Sequence, residues 1–143
     1  MAGMYDRRLI SAVEQGITMQ CLDSLGRPHA METVFAYRED DPFAVTITYH
    51  THEGDLPWTF SRDLLVTGST APAGLGDVLV RPGVDEQGRA VVVVELSSPD
   101  GHLVTRAPAE EVRHFLTRAL TLVPAGEESQ HLRVDAIINQ LLA

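Results

Sequence analysis

The sequence predicts an α+β protein built on antiparallel sheets. Strand-like segments come in clusters, each with apolar residues at every second position. Helical spacing is confined to one short segment near the middle and to the C-terminal third. The regular strand–helix–strand alternation that builds a parallel sheet is missing from the pattern.

Taken in order, Ile17 to Leu22 alternates, with Ile17, Met19 and Cys21 on one side and Thr18 and Gln20 on the other. Ser24 to Pro28 carries turn residues, and a second strand runs through Thr33 to Tyr37. Glu39-Asp40-Asp41-Pro42 is a polar turn. From Phe43 to His50 the β-branched, period-two pattern returns, with Val45, Ile47 and Tyr49 facing one way and Thr46, Thr48 and His50 the other. Glu53-Gly54-Asp55 breaks the chain before a short strand at Pro57 to Phe60.

Ser61 has the chemistry of an N-cap for a helix over Arg62 to Thr67, with Asp63 in its first turn and Gly68 as the stop. Ser69 to Gly76 reads as a loop, Asp77 to Arg81 as a strand and Gly83 to Gly88 as a loop. Arg89 to Leu96 is so rich in valine that both of its faces should be buried. Pro99-Asp100-Gly101 predicts a turn with glycine at positive φ, pairing His102 to Arg106 with the valine strand. Pro108 opens a helix whose apolar face is Val112, Phe115, Leu116, Ala119, Leu120 and Val123, and Pro124 closes it. After a loop at 125–130, His131 to Val134 reads as extended. Asp135 caps a terminal helix through Ile137, Ile138, Leu141 and Leu142.

At 143 residues the chain is most simply one domain, residues 1–143, with 1–16 as an extension. Such a length buries roughly 68–70% of the surface the unfolded chain exposes, enough for a substantial core. Twenty acidic residues against eleven basic ones, all arginine, set the net charge at −9. That balance argues against nucleic acid and against anionic lipid as partners, because both need a cationic patch. Cys21 is the sole cysteine, which rules out an intrachain disulfide and a CxxC zinc site. No apolar h-region follows Arg7-Arg8, and the apolar run Ala90 to Val94 is far short of the roughly 20 residues a membrane span requires. A soluble, cytoplasmic protein is expected.

Motifs with catalytic or metal chemistry are weak. His50 and His52 share a face if both lie on a strand, but zinc asks for three or four ligands. Gly74-Leu75-Gly76-Asp77 lacks the Lys-Ser/Thr ending of a phosphate loop and precedes a strand, so it reads as a turn. Ser97 and Ser98 precede a turn without a nucleophile-elbow pattern, which reads as hydroxyls satisfying a hairpin end. The acidic pairs Asp40-Asp41, Glu53-Asp55, Asp85-Glu86, Glu110-Glu111 and Glu127-Glu128 read as solvated surface or helix-dipole complements. Trp58 and Phe60 read as core, with a base-stacking platform or a protein hot spot as the alternative. Arg62 and Asp63, on a first helical turn, should be at least partly exposed. Asp63 complements the helix dipole, and Arg62 either bridges to a carboxylate or faces a partner.

Several blocks in order resemble the SsgA-like sporulation and cell-division proteins of filamentous actinobacteria. They are Asp41-Pro42-Phe43-Ala44-Val45, Trp58 to Leu65, Gly76-Asp77-Val78, Leu96 to Gly101, Ala107-Pro108-Ala109 and Phe115-Leu116. The resemblance implies two antiparallel sheets packed as a barrel-like body with helices at one end, a fold related to the Whirly single-strand nucleic-acid binders. It implies a non-catalytic protein with no cofactor and no metal, recruited from the cytoplasm to the division septum. There it would help position or activate septation through FtsZ, directly or through another septal protein, as a homo-oligomer such as a trimer. The alternative is a single-stranded nucleic-acid binder on the same fold. Within the signature, Trp58, Phe60, Ser61, Leu64, Leu65, Gly76, Asp77, Ser97, Ser98, Pro99 and Gly101 read as scaffold, leaving Arg62 and Asp63 as the partner-binding candidates. Departures before Gly16, at Ser24 to His29 and at Gln140 to Ala143 leave the subfamily open.

Overall fold

The computed structural model describes residues 11–132 and Leu141–Leu142. Eight strands among these residues form one antiparallel sheet: β1 (Ala12–Leu22), β2 (Pro28–Arg38), β3 (Ala44–Thr51), β4 (Gly54–Ser61), β5 (Ala73–Leu75), β6 (Val78–Val84), β7 (Ala90–Ser98) and β8 (Gly101–Pro108). Helix α1 (Arg62–Gly68) interrupts the strands, α2 (Ala109–Leu122) follows them, and a 3-10 turn covers Glu128–His131. The α+β antiparallel class expected from the sequence is the class observed.

The sheet order is β4-β3-β2-β1-β8-β7-β6-β5, so each half is a meander of sequence neighbours. The two expected sheets are these halves. They are joined only where Gln20, Cys21 and Leu22 of β1 pair with Arg106, Thr105 and Val104 of β8. Beyond this short seam β1 stays with β2 along its full length, from Ala12 opposite Arg38 to Leu22 opposite Pro28. The sheet then curls into a half-barrel: Tyr49 of β3 reaches Thr105 of β8 at 3.2 Å, although the two strands are not neighbours in the sheet. Burial of the Tyr49 ring pushes its phenol up to about 12.

Alternation decides what fills the hollow. Ile17 and Met19, Phe35 and Tyr37, Val45, Ile47 and Tyr49, and Val92, Val94 and Leu96 point inward with 2% exposure or less. Helix α2 closes the open side with Val112, Phe115, Leu116 and Ala119, and Phe115 meets Phe35 edge to face at 5.6 Å. Val91 and Val93 are buried on the other face of β7, as the valine run predicts.

Four expectations change. β1 begins at Ala12, so residues 12–16 belong to the sheet and not to an extension. The pattern is masked there because Gln15, between inward Val13 and Ile17, is polar; its Nε2 donates to the Glu111 carbonyl of α2 at 2.9 Å. Ala73–Leu75, expected as loop, is a short edge strand that turns at Gly76 (φ 61°) into β6. The Pro99-Asp100 turn joins β7 to β8, but Gly101 is not at positive φ; it sits opposite Ser98 as the first residue of β8. His131 ends the 3-10 turn and is not extended. Most of the expected extended piece to Val134 and of the C-terminal helix lies outside the described residues; Leu141 and Leu142, within them, are helical and exposed.

Candidate functional site

The two partner-binding candidates separate at the first turn of α1. Ser61 is extended (φ −62°, ψ 132°), and its Oγ accepts from the Leu64 amide at 3.2 Å, the cap expected of it. The Arg62 amide donates to the Phe43 carbonyl at 2.8 Å, which turns the helix entry toward the core. Arg62 is therefore 1% exposed, and the expectation that it reaches solvent is overturned. Its Nη1 donates to Tyr37 Oη (3.0 Å) and to the carbonyls of Ala119 (3.1 Å) and Val123 (2.7 Å), and its Nη2 donates to Glu128 Oε2 (3.1 Å). The guanidinium also lies 4.8 Å from the Tyr37 ring centre.

This cluster is a structural joint. The carbonyls of Ala119 and Val123 stand at the end of α2, where a cation complements the helix dipole; Ala119 also receives the Val123 amide at 3.0 Å, and the Val123 carbonyl, past the last turn, takes the shorter bond from Arg62. Glu128 receives the Gly126 amide on Oε1 at 2.7 Å, which steadies the carboxylate, and Arg62 on its Oε2 ties the 3-10 turn to α1. Its carboxyl sits below the usual carboxylate range, foremost because it bonds its own backbone amide, and also through Arg62, against the cost of desolvation. Burial raises the Tyr37 phenol, with Arg62 opposing. Of the two roles weighed for Arg62, the bridge to a carboxylate is the one the geometry displays.

Asp63 is exposed. A separate groove of about 340 Å³ lies between the helices, where Val66, Ser69 and Thr70 of and after α1 face Ala109, Arg113, Leu116 and Leu120 of α2, and Asp63 is not part of its lining. Leu64 and Leu65 face inward, and Gly68 is pressed against β6. Phe60 is buried and Trp58 half-buried against the same core, opposite Val45 and Ile47 respectively. A base-stacking platform on these two rings does not match their inward direction.

The remaining candidates are dispersed. His50 Nδ1 contacts Asp55 at 2.8 Å, while His52 lies in the turn after β3, so the two do not share a strand face. Among the described residues no group of three or more His, Cys, Asp or Glu is placed to hold a metal ion. Ser97 Oγ meets His102 Nδ1 at 2.9 Å, and His102 Nε2 meets Glu95 Oε1 at 3.2 Å. This is a serine–histidine–carboxylate chain that sequence reasoning lacked a base to complete. It lies on the solvent side of the hairpin, Glu95 is shared with Arg81 at 3.1 Å, and the Ser97 amide is spent on the Asp77 carbonyl at 2.9 Å. No substrate-sized hollow borders it in either cavity described.

Sequence reasoning also missed Arg106, 7% exposed on the second face of β8. Glu86, in the loop between β6 and β7, takes it in a fork at 2.9 and 2.8 Å, and Gln20 of β1 accepts from it at 2.7 Å. Partners 20 and 86 residues away leave no local pattern to read.

Fold and site together define a scaffold of a known class: an antiparallel half-barrel capped by helices, with its most elaborate polar cluster spent on holding the cap in place. The family profile described as "Streptomyces sporulation and cell division protein, SsgA" matches residues 31–128, and the chain belongs to this SsgA family. It is 45% identical over 108 residues to the sporulation-specific cell division protein SsgB of Kineococcus radiotolerans, a match covering 75% of this chain and 66% of that protein. Among solved structures, SsgB from work on mutations that correlate with longitudinal cell division during sporulation of Streptomyces coelicolor superposes with a TM-score of 0.81. That likeness has 35% identity and covers 87% of this chain and 98% of the other. The SsgA-like sporulation-specific cell division protein of Thermobifida fusca YX-ER1 gives 0.82 at 30% identity, over 92% and 96% of the two chains. No described helix is long and apolar enough to cross a membrane.

Proposed function

We propose that this protein is a non-catalytic regulator of sporulation-specific cell division that helps position or activate the septum through contacts with the division machinery. The observation that carries the reading is the family match over residues 31–128 together with 45% identity to an SsgB protein over 108 residues. FtsZ, reached directly or through another septal protein, is the proposed partner, and the protein acts from the cytoplasm as a homo-oligomer. Repeated copies of one surface would turn weak single contacts into avid binding to a filament.

Asp63 is the residue we assign to partner contact. It is exposed on a helix whose neighbour Arg62 is locked to α2 and the 3-10 turn, so its position is rigidly held. The test is capture of division proteins from sporulating cells by the wild-type protein and by Asp63→Arg, with sedimentation to read the oligomer. Wild type should exceed monomer mass and retain a septal protein. Asp63→Arg should fold with stability within about 0.5 kcal/mol of wild type, as surface changes usually do, yet retain less of it. A strictly monomeric wild type that captures no division protein sinks the reading.

A further inference from the structure

We infer that the cavity at the fork between β1 and β8 is a carboxylate-exchange site, in which an acidic side chain of an incoming peptide replaces Glu86 on the buried guanidinium of Arg106. The inference stands apart from the septation reading and does not depend on Asp63.

The fork follows from topology. β1 and β8 pair only at Gln20 to Leu22, and past that point β8 runs into α2 while β1 continues with β2. A cavity of about 410 Å³ opens where they part. Thr18 and Gln20 of β1 line one side, Arg106 and Pro108 of β8 the other, with Met19 and Val91 as apolar wall; Asp85 and Glu111 also border it, so an occupant must set its one acidic group on Arg106 and keep the rest of its contact uncharged.

The two halves of the Arg106–Glu86 pair are unequal. The Arg106 side chain is 8% exposed and fixed in a central strand, opposite Val93 and Gln20, so it cannot leave. The Glu86 side chain is 52% exposed and comes from a surface loop. That loop keeps its shape without Glu86. Asp85 Oδ1 accepts the amides of Gln87 and Arg89, both at 2.9 Å, and the Asp85 amide donates to the Arg89 carbonyl at 2.9 Å. Apart from a bond to its own backbone amide, the Glu86 carboxylate is spent on Arg106, as a counter-charge supplied to a site that demands one. The guanidinium in turn holds the Glu86 carboxyl below its usual range.

Nε of Arg106 is buried and has no partner among the described residues, so Glu86 and Gln20 leave part of the donor fork unused. Exchange of one carboxylate for another keeps the buried cation neutralised at every stage, and the displaced Glu86 returns to water it already half occupies. Arg89, on the cavity rim with its side chain 71% exposed, is already paired with Asp85 at 3.1 Å, so recognition of an incoming carboxylate falls to Arg106. The cavity's apolar wall then receives the methylenes or a neighbouring side chain of the peptide. That added contact is what an external group needs in order to compete with an internal one of high effective concentration.

The test is an NMR titration of the Arg106 Nε–H resonance, assigned through Arg106→Lys, in the full-length wild type and in Glu86→Ala. The probes are sodium succinate and the blocked peptide acetyl-Gly-Leu-Glu-Gly-Gly-amide, each against sodium chloride at equal ionic strength and neutral pH. Both carboxylates should move the resonance in Glu86→Ala, and the peptide should also move it in wild type. Removing the internal competitor should tighten the peptide at least about tenfold. Succinate should also raise the melting temperature of Glu86→Ala where chloride does not. A response to the peptide alone supports a protein segment as the natural occupant, and a response to succinate alone supports a small dicarboxylate on the same site. Should Glu86→Ala fail to fold, the wild-type titration decides. No movement with either carboxylate, in whichever protein is measured, overturns the proposal.

Discussion

Arg62 and Arg106 are both almost wholly buried cations, yet the molecule treats them differently. Arg62 is held from all sides by groups that are themselves buried: a phenol, two carbonyls at the end of α2, and a Glu128 side chain only 9% exposed. Arg106 owes its neutralisation to a single loop carboxylate that is half in water. The first arrangement fixes three chain segments relative to one another. The second leaves a buried cation whose counter-charge can be changed. Burial of a charged side chain therefore does not by itself say whether it is scaffold or site; the exposure of its partner does.

The strongest way to break this comparison is to delete each cation. Arg62→Met leaves Glu128 and the α2 carbonyls without their donor and should lower the free energy of unfolding by about 3–5 kcal/mol, read from urea denaturation. Arg106→Met should cost less, about 1–3 kcal/mol, because Glu86 can rehydrate in place. Equal losses would show that the two pairs are alike.

Next come two glycines that sharpen the same contrast between a locked cap and an open hairpin. A Cβ on Gly68 would overlap the Val80 side chain and come within 2.8 Å of the Val80 carbonyl. Gly68→Ala should therefore lift α1 off β6 and cost about 1–3 kcal/mol. At Gly101 an added Cβ meets nothing within 4 Å and φ is not positive, so Gly101→Ala should stay within about 0.5 kcal/mol by thermal unfolding.

Smaller effects come with pH. Glu86, Glu128 and Asp85 all have carboxyls held below their ordinary values, so their contribution is complete above the unfolded range near pH 4.5 and fades as pH falls through the lower folded values. An acid titration of stability should show this loss, and in Arg106→Met the Glu86 share of it should shrink to what its own backbone amide sustains while the Glu128 share stays. At the alkaline end Tyr49 has the opposite sign. Its proton is held up to about 12, so stability is complete below about pH 10 and falls between there and 12. Tyr49→Phe should flatten that limb.

Much of this fold could be read from the chain because its signals are local. Val45, Ile47 and Tyr49 turn inward as their alternation requires, and Val112, Phe115, Leu116 and Ala119 bury the helical face their spacing marks out. Ser61 caps α1 through its own hydroxyl three residues from the amide it serves. The failures are also physical. A place in a first helical turn argues for at least partial exposure of Arg62, and the partners that bury it, Tyr37, the Ala119 and Val123 carbonyls and Glu128, lie 25 to 66 residues away. β5 was hidden by its length and its glycine, and β1's start by a glutamine whose inward position is satisfied by the carbonyl of Glu111.

The class, seven of the eight strands with their inward faces, the Ser61 cap and, through the ordered signature blocks, the SsgA family are all legible in the chain. Each of these depends on residues within a few positions of one another, where backbone geometry alone sets which side chains share a face. That Arg62 is a joint and that Arg106 is buried at a fork in the sheet emerge only in three dimensions. Those outcomes depend on how a curled sheet brings distant segments together and on how much water each partner keeps. Neither quantity is written in the spacing of residues along the chain.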